Sequence, residues 1–248
     1  MFVACIPFLR LFLLFFFFAV PVFAQAQNFN IDLNSFIEPG GLSNSLSLLI
    51  ALSSISLLPF ILVSTTSFLR IVIVLSLLRQ ALATQQSPPN MVIVGLAFFM
   101  TIFVMTPTFY DIHENAIEPY IAGEITQMEA LNLGYQPFRD FMLKFSRDED
   151  LALFLEFSRV KIEVGKEHIP LNVLIPAYII SELKTAFQIA FLIFIPFLVI
   201  DLVISNILLS LGMFMLSPAM ISLPFKILLF VLTDGWNLLV RGLLTSFQ

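Results

Sequence analysis

The feature that most constrains this sequence is an uncharged apolar run, residues 91–109, that is long enough to cross a lipid bilayer. A transmembrane helix needs about 20 consecutive apolar residues, because the hydrocarbon core is roughly 30 Å thick. The whole chain of 248 residues has a matching composition, with 59% hydrophobic and only 12% charged residues. Soluble domains carry about 25% charged residues. The sequence therefore predicts an all-α membrane protein.

Several function classes conflict with this composition. The net charge is −5 and no basic stripe is present, so nucleic acid is not an expected partner. The single cysteine, Cys5, falls in a segment that we expect to be removed, so no thiol chemistry is expected. His113 and His168 have no cysteine partners and are interpreted as polar residues of a soluble segment rather than zinc ligands. We therefore expect no cofactor and no enzymatic activity.

Residues 1–24 have the layout of a cleavable signal peptide. A single base, Arg10, precedes a short apolar run that ends at Pro21 and the small residues before Ala24. A first transmembrane helix is the alternative, but the uncharged run is short for one. We expect cleavage after Ala24, which leaves residues 25–45 as an extracytoplasmic amino-terminal segment.

The first membrane region, residues 46–109, consists of apolar runs with two isolated arginines between them. Arg70 interrupts the first run, which indicates either one long helix or two short helices. Arg70 and Arg79 have no acidic neighbours, and a pair of prolines follows them. The positive-inside rule then predicts a cytoplasmic loop near residues 79–90. The next segment is expected on the opposite, periplasmic side, in agreement with an external amino terminus.

That next segment, residues 110–170, is predicted to be a periplasmic helical insert. Twelve of the seventeen acidic residues of the chain lie in it. Two strings match the capping box and predict helix starts, Thr126-x-x-Glu129 and Ser146-x-x-Glu149. Pro137 is expected in the first turn of another helix. The insert should therefore consist of short helices.

The carboxyl-terminal region, residues 171–248, is apolar but contains isolated charges. A charge at the bilayer centre costs about 2.5–3.5 kcal/mol, so such groups normally face protein or water. We predict five buried structural charges: Glu182, Lys184, Asp201, Lys226 and Asp234. Three prolines are expected to divide the region into short helices, Pro196, Pro218 and Pro224. The prediction is a set of helical hairpins with a tight turn at residues 211–218.

Two of the charges have polar residues at helical spacing. Asp201 with Ser205, and Asp234 with Arg241, would lie on nearly the same helix face and could pair within one helix. A proton relay is the alternative, but it needs several protonatable groups in line. We interpret these charges as structural ion pairs, and we expect neutralisation of Asp201 to impair assembly more than ion coupling.

Long strings carry a family resemblance. The longest are IPAYIISELKTAFQI at residues 175–189 and FIPFLVIDL at residues 194–202. Shorter strings are LPFK, TDGW and, in the first region, FLRIVIVL, LRQA and TQQSPPN. The chain resembles the FliP family of flagellar export-gate proteins from about residue 46 to its carboxyl terminus, least so in the insert. It departs from the family pattern at Ala83, Ala190, Phe214, Ser217 and Arg241.

The resemblance implies the core pore-forming subunit of the flagellar type III protein export gate. That gate lies in the bacterial inner membrane within the flagellar basal body and passes unfolded flagellar substrates. The resemblance also implies a homo-oligomer, a pentamer in the family picture, that assembles with FliQ and FliR homologues and neighbours FlhA and FlhB homologues. Assembled protein rather than lipid would then surround the charges.

Two alternatives stay open at this point. An injectisome export-gate subunit belongs to the same class of machine. A secondary transporter is a different class, suggested by charged residues in broken helices. The halves of the chain show no inverted repeat, which weakens the transporter reading.

The gate itself is assigned to Met213, Phe214 and Met215, in the loop of residues 211–218. On residue types alone, Met213 and Met215 would be interpreted as packing at a helix interface. The resemblance to the family's methionine gasket reverses that order. Methionine is unbranched and flexible, so copies around a ring can close by dewetting and yield to a passing chain. Phe214 in place of a third methionine would make that ring stiffer.

Overall fold

A computed structural model describes residues 53, 56–57, 59–84, 86–158 and 169–248. The chain divides into two compact units, Met1–Leu57 and Leu58–Gln248, and every helix below belongs to the second. Regular structure within the described residues is entirely helical, which confirms the predicted class. The expected signal peptide, the segment of residues 25–45 and His168 lie outside the described residues.

Eight helices of the second unit are numbered in chain order. They are α1 (Pro59–Thr65), α2 (Phe68–Ala81), α3 (Asn90–Ile112), α4 (Gln127–Phe145), α5 (Asp148–Phe157), α6 (Leu171–Ser210), α7 (Pro218–Leu232) and α8 (Gly235–Thr245). Helix α3 continues through a π-helical turn, His113–Ile117, and one further turn, Glu118–Ile121. The axes bend by 82° between α1 and α2 and by 65° between α7 and α8.

The first apolar run forms two helices rather than one. Near the break, the hydroxyls of Ser64 and Thr65 both donate to the carbonyl of Ile61, at 3.0 and 2.8 Å. Thr66 donates in the same way to the carbonyl of Leu62 at 2.7 Å. Side chains that bond back to the preceding turn compete with the backbone and favour bends. This polar triplet, rather than Arg70, therefore marks the end of α1.

Within the part of the chain that the structure describes, two continuous helices are long and apolar enough to cross a membrane, Asn90–Ile121 and Leu171–Ser210. Up to four spans result if each bent pair counts as one. The prediction that Pro196 ends a short helix is wrong, since Pro176 and Pro196 both lie inside the 40-residue α6. Pro224 likewise lies inside α7. Where no water competes for backbone groups, the loss of one hydrogen bond at a proline costs less than opening the helix.

The insert follows its predicted pattern at one of three points. Thr126 and Glu129 form the expected reciprocal capping box at the start of α4. Ser146 forms no such box: it follows the last residue of α4, and its hydroxyl donates to the carbonyl of Met142 at 2.7 Å. Pro137 lies inside α4 rather than in a first turn. Helix α5 begins at Asp148, one residue later than a cap at Ser146 would place it. Its first turn contains three acidic residues, where the helix dipole favours them.

Two buried clusters hold the unit together. The larger joins α2, α3, α6 and α8, and its fully buried members include Ile71, Val74, Ala97 and Leu243. The smaller cluster joins α4 and α5 to the start of α6, around Tyr178. The phenol of Tyr178 donates to the carbonyl of Thr66 at 2.9 Å, which ties α6 to the break before α2. The first half of α6 is therefore the common support of α2 and the insert.

Candidate functional site

Glu182 forms a buried ion pair with Arg70. The carboxylate accepts from Nε of Arg70 at 2.8 Å, and Nη2 makes a second, parallel contact to its other oxygen. Both side chains are almost completely buried, at 0% and 3% exposed. A forked arginine–carboxylate contact is both strong and directional. The sequence predicted the burial of Glu182 but did not identify its partner, 112 residues away.

Arg70 and Arg79, the two arginines near the predicted cytoplasmic loop, lie in different surroundings. Arg70 lies inside α2 and in the protein core rather than in a loop. Arg79 stays close to the loop, where its Nη1 donates to the side-chain oxygen of Asn90 at 2.6 Å. Of the two arginines, only Arg79 therefore lies beside the loop for which the positive-inside rule predicts the cytoplasmic side.

Lys184 joins the insert to α6. Its ammonium pairs with Asp150 of α5, and the hydroxyl of Ser181 donates to the same carboxylate at 2.7 Å. Asp150 is 1% exposed, whereas Lys184 is 46% exposed within this chain. Burial alone would raise the pKa of Asp150, but the hydrogen bonds from Lys184 and Ser181 lower it below its ordinary value. The carboxylate is therefore stabilised in its charged form.

Lys226 joins the two arms of the carboxyl-terminal hairpin. Its ammonium lies 2.7 Å from Asp201 of α6 and 3.1 Å from the carbonyl of Ala81 at the end of α2. Asp201 also accepts from the hydroxyl of Ser222 at 2.5 Å. The predicted pairing of Asp201 with Ser205 is not what the structure has. The partners lie on the neighbouring helix because the hairpin brings α7 alongside α6.

Asp234 differs from the other predicted charges. It is exposed, and no ion pair joins it to Arg241, which is also exposed. Asp234 has a left-handed backbone, φ 50°, and immediately precedes α8. The next residue, Gly235, lies so close to the ring of Phe230 that a Cβ there would be 2.3 Å from it. The TDGW string thus forms the bend between α7 and α8.

The loop of residues 211–218 closes the hairpin with a defined geometry. Gly212 has φ +73°, the amide of Met213 donates to the carbonyl of Leu208 at 2.9 Å, and that of Gly212 to Leu209 at 3.1 Å. This pair of bonds is a Schellman motif, which requires a left-handed residue after the helix. Pro218 then begins α7, as predicted.

The side chains of this loop are apolar and exposed. Met215 is 99% exposed and Phe214 is 77% exposed, and the neighbouring apolar residues are about half exposed: Leu211, Met213 and Leu216. Within the single chain, Met213 and Met215 therefore do not fill a helix interface. The loop thus presents a compact apolar tip on a rigidly closed hairpin.

Sequence reasoning missed the partners more than the charges. Arg70, Asp150, Ser181 and Ser222 complete the three ionic contacts, yet none was singled out as a site residue. Side chains of opposite charge on separate segments were the available signal, but their spacing along the sequence does not show which of them form pairs. Within the described residues, no group of three metal-ligating side chains comes together.

Comparison with known proteins identifies the family of this chain. The model of the FliP family matches residues 51–243. The flagellar biosynthetic protein FliP of Bacillus subtilis is 50% identical over 217 residues, 88% of this chain and 98% of that protein. The protein of the same name from Aquifex aeolicus is 51% identical over 214 residues, 86% of this chain and 90% of that protein. The chain therefore belongs to the FliP family of flagellar biosynthetic proteins, components of the flagellar export apparatus.

Proposed function

We propose that the chain is the pore-forming subunit of the flagellar export gate, and that residues 211–218 form its seal. The observation that carries the proposal is the exposed apolar tip on a hairpin whose turn is closed by backbone hydrogen bonds. In an oligomer of identical subunits, such tips can meet around a central axis. Apolar constrictions close a pore by dewetting, and flexible methionine side chains can yield to a passing segment.

The substrate follows from the size of the passage. An unfolded chain or a single helix, about 10–12 Å wide with its side chains, can displace a ring of flexible side chains. A folded domain, even a small one about 30 Å across, is much wider than such a passage. We therefore propose unfolded flagellar proteins as the substrates.

The length of α6 supports a location partly outside the lipid. Forty residues extend about 60 Å at 1.5 Å per residue, roughly twice the thickness of the hydrocarbon core. Glu182, Lys184 and the docked insert belong to its first half. We propose that this half and the insert lie on the periplasmic side, above the inner membrane within the basal body, with the loop near residues 79–90 in the cytoplasm.

The exposed apolar surface of α6 supports the proposal that other proteins pack against the chain. Phe187, Phe191, Leu198 and Leu202 of α6 are each more than half exposed within the single chain. Contiguous apolar surface of this kind marks contact with protein or lipid. We propose further copies of the chain, in a pentamer, together with FliQ and FliR homologues as the covering partners, and FlhA and FlhB homologues as neighbours. Lys184, Asp201 and Asp234 would become buried in that assembly.

The seal is tested by replacing Met213, Phe214 and Met215 together with alanine in cells. We expect faster leakage of small ions across the inner membrane with normal assembly, because the ring loses its apolar closure. A matched control replaces Leu228, Val231 and Leu232, which are also exposed but lie on α7. The measurements are membrane conductance and recovery of the purified complex. Unchanged conductance in the loop variant would refute the seal.

A further inference from the structure

Arg70 has a second set of contacts, besides Glu182, from the last residues of the chain. Nη1 donates to the carbonyl of Ser246 at 2.8 Å and contacts its hydroxyl at 3.0 Å. The guanidinium carbon lies 4.0 Å from the ring centroid of Phe247 and 5.3 Å from that of Phe145 in α4. The guanidinium of Arg70 is thus contacted from three other segments of the chain: α4, α6 and the residues after α8.

The contacts of Phe247 extend this arrangement to the insert. Phe247 is 8% exposed, its ring is nearly parallel to that of Phe141, and it meets that of Phe145 edge to face at 5.3 Å. Aromatic pairs of this geometry contribute beyond the area they bury. A single residue after α8 therefore contacts both the cation of α2 and the inner face of α4.

We infer that Ser246 and Phe247 form a carboxyl-terminal clamp that positions Arg70 toward Glu182 and couples the insert to α2 and α6. The carbonyl of Ser246 follows α8, where a helix end leaves acceptors free and favours a cation. Without Ser246, the buried guanidinium loses both hydrogen bonds that Nη1 donates to this residue. The Phe247 ring covers the same group, so removal of the ring also admits water to the ion pair.

The clamp differs from ordinary packing of a chain end in what it controls at a distance. A local packing role predicts that loss of Phe247 loosens α8 and the part of α4 that its ring contacts. The clamp predicts that α6 near Glu182 loosens as well, because Arg70 is no longer held toward that carboxylate. Amide exchange in these segments tests the clamp independently of the gate proposal, even if the loop of residues 211–218 has no sealing role.

The test is amide hydrogen exchange of the full chain, purified with its assembled partners, in Phe247→Leu and in a deletion of residues 246–248. We expect about ten-fold faster exchange around residues 141–146 and 178–184, consistent with loss of a desolvated cation–π contact. Phe247→Tyr keeps the ring and should restore protection. Acceleration confined to residues 141–146 and 235–248, with residues 178–184 unchanged, would overturn the inference.

Two controls keep the result interpretable. Gln248 is exposed, so Gln248→Ala and a short tag after Gln248 should leave exchange unchanged. If the deletion gives no protein, Phe247→Leu is combined with Arg70→Met. In that background the effect of Phe247→Leu on α6 should disappear, because the cation it positions is absent. An undiminished effect would contradict the clamp.

Discussion

The two halves of α6 differ in how they are held. As far as Gln188, the helix is bonded to three other segments: Tyr178 to Thr66, Glu182 to Arg70, and the stretch from Ser181 to Gln188 to the start of α5. Beyond Gln188, its only ionic contact is that of Asp201 with Lys226. Most large apolar side chains there are exposed, among them Phe191, Leu198 and Leu202.

This difference separates two tasks within one helix. Directional polar contacts fix the first half against α2 and the insert, and ion pairs of this kind specify one geometry. The second half offers apolar surface that is adaptable and needs external partners. A long helix can thus connect a rigid base to a hairpin whose final surroundings come from assembly.

The largest expected effect comes from breaking the buried pair in the first half. Glu182→Ala should lower the free energy of unfolding by about 3–5 kcal/mol, since it leaves the Arg70 guanidinium buried and only partly compensated. Thermal or chemical unfolding of the detergent-solubilised chain measures this. Arg79→Ala, at a partly exposed arginine, should change stability by only about 0.5 kcal/mol.

A double substitution sharpens this result. Arg70→Leu with Glu182→Leu removes both charges and should be clearly more stable than Glu182→Ala alone. If both variants unfold at the same temperature, the cost comes from packing and not from an isolated charge.

Smaller losses of stability, unequal for the two partners, are expected from breaking the Asp201–Lys226 pair in the second half of α6. Asp201→Ala leaves the 3%-exposed Lys226 ammonium with one carbonyl, and should cost about 2–3 kcal/mol. Lys226→Met leaves Asp201, which is 38% exposed and can regain water, so it should cost about 1 kcal/mol. Unfolding of the two variants side by side measures the difference. Equal costs would mean that Asp201 is as inaccessible as Lys226.

An effect smaller than that of Asp201→Ala concerns the contact between α5 and α6. The lowered pKa of Asp150 means that its contribution is present above the ordinary carboxyl pKa of about 3.9 and is lost as the pH falls through the lower, folded value. Asp150→Asn should therefore lower stability by about 1–2 kcal/mol at pH 7, with Lys184 half exposed to solvent.

The pH dependence distinguishes the ion pair from simple packing. The difference in melting temperature between the parent chain and Asp150→Asn should persist at pH 5 and shrink below about pH 4. Asp140→Asn, at an exposed carboxylate of α4, is the matched control and should show a negligible difference at pH 7. A difference that stays constant down to pH 3 would exclude the ionic contribution.

The sequence predicted elements better than contacts. The run of residues 91–109, the capping box at Thr126 and the turn at Gly212 depend on local chemistry, and all three were correctly placed. Pro196 was misjudged because the penalty for proline depends on what surrounds the helix. The partners of Glu182 and Asp201 depend on how helices lie against one another, and periodicity contains no information on that.

The clamp also bears on how the chain matures. Arg70 and Ser246 are 176 residues apart, so a ribosome that adds about 5–20 residues per second needs roughly 10–35 s to make one after the other. Throughout that interval the guanidinium has only incomplete partners, and Glu182 itself is made late. The arginine of α2 therefore enters the membrane environment well before its final neighbours exist. Completion of the core therefore has to wait until Ser246 and Phe247 have been made.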